Sequence, residues 1–306
     1  MKALCAIDGS AGSDAAVEML GQFLSQDDDL VIFYYSPPEI TVHGQSSPDS
    51  KLIEQARASL AERIFEHARE LLPQQLAEHS MAITGQQKPR AGILAAIKTH
   101  RPDLIAVGAR GTNRLGLPRI GSVSRAVVHS TDIPVLIARP STRDHFESLR
   151  VLLCYDRIDA NRDADALLGS LSFPENVKGR ILHVVESPFV HGIPSWIEEE
   201  ARTAENDPIA KAYIDQQDRE FEELRQQLRD HCRELPAAFL ESLPVVLSGS
   251  AGAQIVDYAE KEKMDLVVIG AHHSGPVTRL LVGSTSEHIL NFASCSILIV
   301  PHHDLP

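Results

Sequence analysis

Apolar and polar positions alternate along the chain in blocks of two kinds. Short runs in which nearly every residue is apolar, such as "KALCAI", "LVIFYY", "DLIAVGA" and "PVLIA", are separated by longer stretches with apolar residues every three or four positions. The first kind predicts strands buried on both faces, the second amphipathic helices. In the amino-terminal half the pattern predicts a strand at 2–7, a helix near 13–25, a strand at 30–35 and a long helix near 51–79. A short strand near 81–84, a helix at 90–100, a strand at 103–108, a helix from about 121 and a last strand at 134–139 follow. Strands alternating with helices predict an α/β fold, a parallel sheet with helices on both faces.

The pattern occurs twice. "PDLIAVGARG", "IGSVSRAVVH" and "PVLIA" return as "MDLVVIGAHH", "VGSTSEHILN" and "SILIV", all at an offset of 162 residues. "KALCAIDGS" returns as "RVLLCYDRI" at an offset of 148, which puts Asp8 opposite Asp156 and leaves the second copy with 14 extra residues in its middle. Two tandem domains are expected, 1–142 and 148–306, joined through the polar stretch "RPSTRDHFES". A chain of 306 residues has length for two ordinary domains.

Composition narrows the ligands. With 43% hydrophobic and 23% charged residues the chain is globular in character. Its formal net charge of −13 argues against nucleic-acid or anionic-membrane partners, both of which require clustered Lys and Arg. The apolar runs are far short of a membrane span, and an acid at residue 8 interrupts what would be a secretory core, so a cytoplasmic location is expected. Cys5, Cys154, Cys232 and Cys295 form no CxxC pair; Cys5, Cys154 and Cys295 are expected as buried thiols, with no disulfide frame or zinc site. "DDD" at 27–29 fits a turn better than a calcium loop. For His272, His273, His302 and His303 no nearby acid or Cys completes a ligand set, and they are expected to be exposed or incidental, not metal ligands. The stretch 208–235 is expected to be an amphipathic packing helix with charge pairs.

The candidate chemistry lies in "VGARGTNRLGLPRIGSVSRAVVH". Gly108, Gly111, Gly116 and Gly121 follow a strand, and a helix opening on "GSVS" offers backbone N–H groups, a positive dipole end and serine hydroxyls to an anion. Arg110, Arg114 and Arg119 either add charge there or are solvated surface residues. There is no GxxxxGK[ST], no GxGxxG after the first strand and no HxGH. In a parallel sheet of this kind a ligand sits beyond the carboxyl ends of the strands, where Asp8 and Gly108 both fall. Asp8 in "DGS" suits a helix cap as well as a ligand contact.

The spacing G-x2-G-x9-G-S, read as Gly108, Gly111, Gly121 and Ser122, resembles the ATP-binding subclass of the universal stress protein family. The opening "AIDGSAGSDAAVEML" and the closing "SRAVVHSTDIPVLIARP" resemble it too, and both halves are covered. The resemblance implies two five-stranded parallel sheets of order 3-2-1-4-5 related by a pseudo-twofold axis, final strands meeting, so that one chain mimics a single-domain dimer; a homodimer of chains is the further possibility. It implies ATP, with or without Mg, as the ligand: Asp8 at the ribose or adenine edge, the backbone of Tyr35 and Val107 at the adenine, and Gly108, Gly111, Gly121, Ser122, Val123 and Ser124 at ribose and phosphates. Tyr35 departs from the small aliphatic residue usual there. In the second copy Asp156, Gly270, Gly283, Ser284, Thr285 and Ser286 keep the frame, but His273 replaces a glycine, so an impaired or altered site is expected unless Gly275 relaxes the loop.

Three functions are compatible with these features. The first is a nucleotide-binding regulatory protein of the stress response acting on an unidentified protein partner. The second is an interaction or chaperone-like module holding another small ligand, and the third is a slow ATPase. No general base, lysine or paired acids stand beside the γ-phosphate position, so little or no hydrolysis is expected.

Overall fold

The computed structural model describes the chain apart from residues 25–27, 38–49, 111–119, 142–147, 157–161, 187–195, 197–198, 200–207, 273–282 and 303–306. The chain divides into two compact units. The first is built on Met1–Thr142; the second comprises Arg143–Gly169, Glu175–His272 and Val282–Pro306, with Ser170–Pro174 grouped with the first.

In the first unit the strands are β1 (Lys2–Ile7), β2 (Leu30–Tyr35), β3 (Met81–Thr84), β4 (Leu104–Gly108) and β5 (Val135–Ala138). They form a parallel sheet in the order β3-β2-β1-β4-β5, so the sequence order turns between β1 and β4. The central strands are buried throughout most of their length, which is why they read as unbroken apolar runs; β3 is largely exposed and correspondingly weak in the pattern.

The helices are α1 (Ala11–Phe23), α2 (Ser50–Glu70), α3 (Gln74–Glu78), α4 (Pro89–His100) and α5 (Ser122–Val128). The single helix expected over 51–79 is two, because Pro73, with ψ 142°, stands between α2 and α3, and its ring nitrogen has no hydrogen to continue the ladder. α4 starts with Pro at its first position and ends on Arg101 in the left-handed region, φ 46°.

The second unit repeats the order with β6 (Arg150–Tyr155), β7 (Lys178–Glu186), β8 (Val245–Gly249), β9 (Leu266–His272) and β10 (Ser296–His302), paired in parallel as β8-β7-β6-β9-β10. Its helices are α6 (Arg162–Ser170), α7 (Pro208–His231), α8 (Ala237–Leu240), α9 (Ala251–Lys261) and α10 (Ser284–Phe292). The register pairs Tyr35–Thr84 and His183–Val246 place the extra residues of the second copy between β7 and β8. α7 carries the expected charge pairs, with Glu222 bonded to Arg229 and Arg225, and these hold its carboxyl below the usual range.

Cys5, Cys154 and Cys232 are buried, and burial pushes the thiols of Cys5 and Cys154 far up. Cys295 departs from expectation: it is only partly buried, because it precedes β10 and does not lie within it. Among the described residues no helix is long and apolar enough to cross a membrane, and no group of His, Cys, Asp or Glu has metal-site geometry.

Candidate functional site

The turn after β1 is built by its own side chains. Asp8 Oδ1 accepts from the Ser10 N–H at 3.1 Å, Gly9 takes φ 75°, and Ser10, not Asp8, caps α1, its Oγ accepting from the Ser13 N–H at 3.3 Å. Asp8 is exposed at the strand end, two residues before the cap, and is not itself the cap of the helix.

That turn abuts the end of β4. A side chain at Gly108 would lie 2.6 Å from the Gly12 carbonyl carbon, and one at Gly12 would lie 2.5 Å from the Arg110 oxygen. The two glycines therefore let α1 and the strand end meet backbone to backbone, a packing reason for Gly108 that a ligand reading alone does not supply. Ser10 Oγ also donates to the Arg110 carbonyl at 3.5 Å. Gly121 caps α5 in extended backbone, its N–H donating to the Ala109 carbonyl at 2.6 Å, and a Cβ there would be 3.2 Å from that same oxygen. Ser124 is buried, and its hydroxyl donates to the Gly108 carbonyl at 2.6 Å, tying the helix start to the strand end. Ser122 is exposed and Val123 half-buried beside it.

Val107 is buried in β4, in register with Ala6 and Ile137. The Tyr35 carbonyl accepts from the Gly85 N–H at 2.7 Å, and its ring meets Phe65 edge-on at 6.3 Å. Burial first, and the Asp8 charge second, raise its phenol pKa, so Tyr35 and Asp8 share one neighbourhood. The structure thus brings Asp8, Tyr35, Val107, Gly108, Gly121, Ser122, Val123 and Ser124 to one end of β1, β2 and β4. Gly111, Gly116, Arg114 and Arg119 lie outside the described residues.

In the second unit Asp156 is exposed at the end of β6, and Gly270 lies inside β9 opposite Val300. Gly283 caps α10, but a Cβ there would meet nothing within 4 Å among the described residues, unlike Gly121. Ser284 is exposed, Thr285 half-buried and Ser286 buried. His273, Gly275 and His303 lie outside the described residues. A cavity of about 550 Å³ is lined by Glu186, Gly249, Ser250, Ala251, Gly252, Ser284, Thr285 and His288, of which only Ser284 and Thr285 were legible as site residues.

A polar cluster at the start of α6 was not legible at all. Tyr155 Oη donates to Asp165 Oδ1 at 2.6 Å, and His231 Nε2 lies 2.8 Å from Asp165 Oδ2. Burial and the Asp165 bond raise the Tyr155 phenol well above its ordinary value. His183 Nδ1 bonds the Tyr155 carbonyl at 2.9 Å. His302, expected to be exposed or incidental, is mostly buried and sits 3.1 Å from Asp163 Oδ2. Its acidic partner comes from a helix far away in the chain. The one available signal was a tyrosine and two histidines set inside strand patterns, since buried polar atoms require partners.

Comparison with known proteins agrees with this architecture. A Mycobacterium tuberculosis universal stress protein is 24% identical over 213 residues, 69% of this chain and 68% of that protein. A Mycolicibacterium smegmatis relative of the same description is 23% identical over 308 residues, covering 97% and 96%. The crystal structure of an Archaeoglobus fulgidus universal stress protein shares the fold at TM-score 0.57 and 18% identity, covering 99% of this chain and 98% of that one. The model of the universal stress protein family matches residues 1–139 and again 149–301, so the chain belongs to the universal stress protein family, in tandem form.

Proposed function

We propose that the protein is an adenine-nucleotide-binding regulator of the stress response, holding ATP, with or without Mg, in its first unit and hydrolysing it slowly or not at all. The observation that carries the reading is the convergence of the Asp8 turn and the Gly121 helix start on the end of β4, at the point where strand order turns between β1 and β4. Asp8 supplies an acceptor for ribose hydroxyls or the adenine edge. The N–H groups and hydroxyl at Ser122 face the helix start with no side-chain cap to occupy them, which suits phosphate.

Hydrolysis would need a positioned base beside the γ-phosphate. Asp8, the acid at this site, belongs to the ribose end in this reading, which favours occupancy as the signal over turnover. The loops that cover the nucleotide would present the surface read by a protein partner.

Titration calorimetry with ATP, AMP and cAMP on the full chain, paired with mass spectrometry of small molecules released on denaturation, tests the reading. One tight adenine-nucleotide site per chain supports it. A released ligand without adenine, with no ATP binding, supports the interaction-module reading instead, and steady phosphate release would make the protein an ATPase.

A further inference from the structure

We propose that the start of α4 in the first unit binds a phosphate group, held by the Tyr34 hydroxyl, the first-turn N–H groups of the helix and the Arg90 side chain, apart from the nucleotide site read at α5. Tyr34 and Tyr35 are successive residues of β2, so their side chains leave the sheet on opposite faces. Tyr35 turns to Phe65 of α2, and Tyr34 to the other side, where its hydroxyl meets Gly92 of α4.

Two glycines let the hydroxyl reach the helix start. A Cβ at either Gly85 or Gly92 would overlap the Tyr34 oxygen, so the phenol fills the space that both side chains would take. Helical Cα–Cβ bonds tilt toward the amino terminus, and an atom in the Cβ position of Gly92 therefore stands on the first-turn side of that residue. Tyr34 is 5% exposed, and its hydroxyl has no hydrogen-bond partner among the described residues. Burial raises its phenol pKa, so it stays a donor. A buried hydroxyl without an acceptor is costly, and an acceptor from outside the chain satisfies it.

The groups around it suit an anion. α4 opens on Lys88 without a side-chain cap, Pro89 takes the first position with no hydrogen to offer, and the Gly92 N–H donates to the Lys88 carbonyl at 2.9 Å. The N–H groups of Arg90 and Ala91 lie between, with no acidic side chain in the first turn. Ser36 Oγ donates to the Gln87 carbonyl at 2.5 Å and the Gly85 N–H to the Tyr35 carbonyl at 2.7 Å, which fixes the approach to the helix against the end of β2. Lys88 and Arg90 are exposed on either side of Pro89, and in a chain of net charge −13 they place two positive charges at this helix start. A phenol O–H, two backbone N–H groups and a guanidinium are all donors, and together they match the several oxygens of a phosphate. In the second unit the register puts Val184 where Tyr34 stands, and the offset of 162 puts Gln254 where Gly92 stands, so the arrangement belongs to the first unit.

The test is amide NMR of the full chain titrated with inorganic phosphate, read at Arg90 and Ala91, with chloride at matched ionic strength as control. Both amides should shift saturably with phosphate and not with chloride. Tyr34→Phe keeps the ring and removes only the hydroxyl; it and Arg90→Gln should each weaken binding by about tenfold while circular dichroism shows an unchanged fold. Phosphate should also slow hydrogen exchange of the α4 amides in the parent chain and not in Tyr34→Phe, a difference that a purely structural hydroxyl does not produce. Methyl phosphate distinguishes the source: tighter binding than inorganic phosphate identifies a phosphate carried on a larger molecule, equal or weaker binding the free ion, and both support the site. Gly121→Val should leave the titration intact whatever happens to ATP, which separates failure here from failure of the nucleotide reading. No saturation at tens of millimolar phosphate, an equal response to chloride, undiminished binding in Tyr34→Phe or in Arg90→Gln, or loss in Gly121→Val would each overturn the proposal.

Discussion

The two units carry the same device at the same place and have built it differently. In each, the fourth residue of the first helix is an aspartate facing a histidine in the last turn of the following long helix. In the first unit Asp14 lies 3.3 Å from His67 Nε2, with the side chains 31% and 50% exposed. In the second, Asp165 lies 2.8 Å from His231 Nε2, with both about one-sixth exposed, and it also accepts the Tyr155 hydroxyl. Tyr155 ends β6 where the buried, apolar Ile7 ends β1. One change at the strand end thus turns a surface pair into a closed polar network. An exposed pair contributes little because water screens it and both chains lose rotamer freedom. A closed network penalises the loss of any one member, since the others stay buried without partners.

Asp165→Ala should therefore have the largest effect, destabilising the second unit by about 3 kcal/mol, while Asp14→Ala costs the first unit about 1 kcal/mol or less. Hydrogen exchange of β6 and β1 amides reads the units separately. Equal losses would show that burial is not what distinguishes the two pairs.

Next is the contrast between Gly121 and Gly283. Gly121→Val places carbon against the Ala109 carbonyl and the helix start, and ATP affinity should fall by more than about tenfold, or 1.4 kcal/mol. Gly283→Val meets no described residue within 4 Å and should leave both the fold and ATP binding nearly unchanged. A titration showing two equivalent ATP sites, both sensitive, would erase the contrast.

Alkaline pH should sharpen it. The Cys5 thiol in the first unit, and the Cys154 thiol and Tyr155 phenol in the second, are all raised, chiefly by burial. A raised acid is protonated in the folded state, so its contribution is full below its unfolded pKa and is lost as pH rises above it. Tyr34 and Tyr35 in the first unit, and Cys232 and Tyr258 in the second, are raised as well, so both units should lose stability above the ordinary thiol and phenol range. Tyr155→Phe removes one such group, and the second unit's loss should become shallower by about 1.4 kcal/mol per pH unit while the first unit's stays unchanged. An unchanged slope in the second unit would refute the role given to Tyr155.

The smallest effect is expected on the exposed face of α7. Glu222→Gln removes its bonds to Arg225 and Arg229 in full solvent, and thermal unfolding should shift by no measurable amount.

The sequence by itself determined the repeat, the strand spans within a residue or so, the parallel α/β class, and the glycine-serine helix start, because each rests on local periodicity or on residues adjacent in the chain. Pro73 was equally local, and its break between α2 and α3 was there to be read in "LLPQQ". Only the tertiary structure decided what the polar residues do. Asp165 and His231 are 66 residues apart, Asp163 and His302 are 139 apart, and nothing in their immediate neighbours announces either pair. The same holds for Gly108, whose missing side chain is accounted for by Gly12, and for Gly252, accounted for by His288. Hydrophobic burial repeats along the chain and can be read from it, whereas a hydrogen bond or a close backbone approach is satisfied by one particular partner that the fold must first bring near.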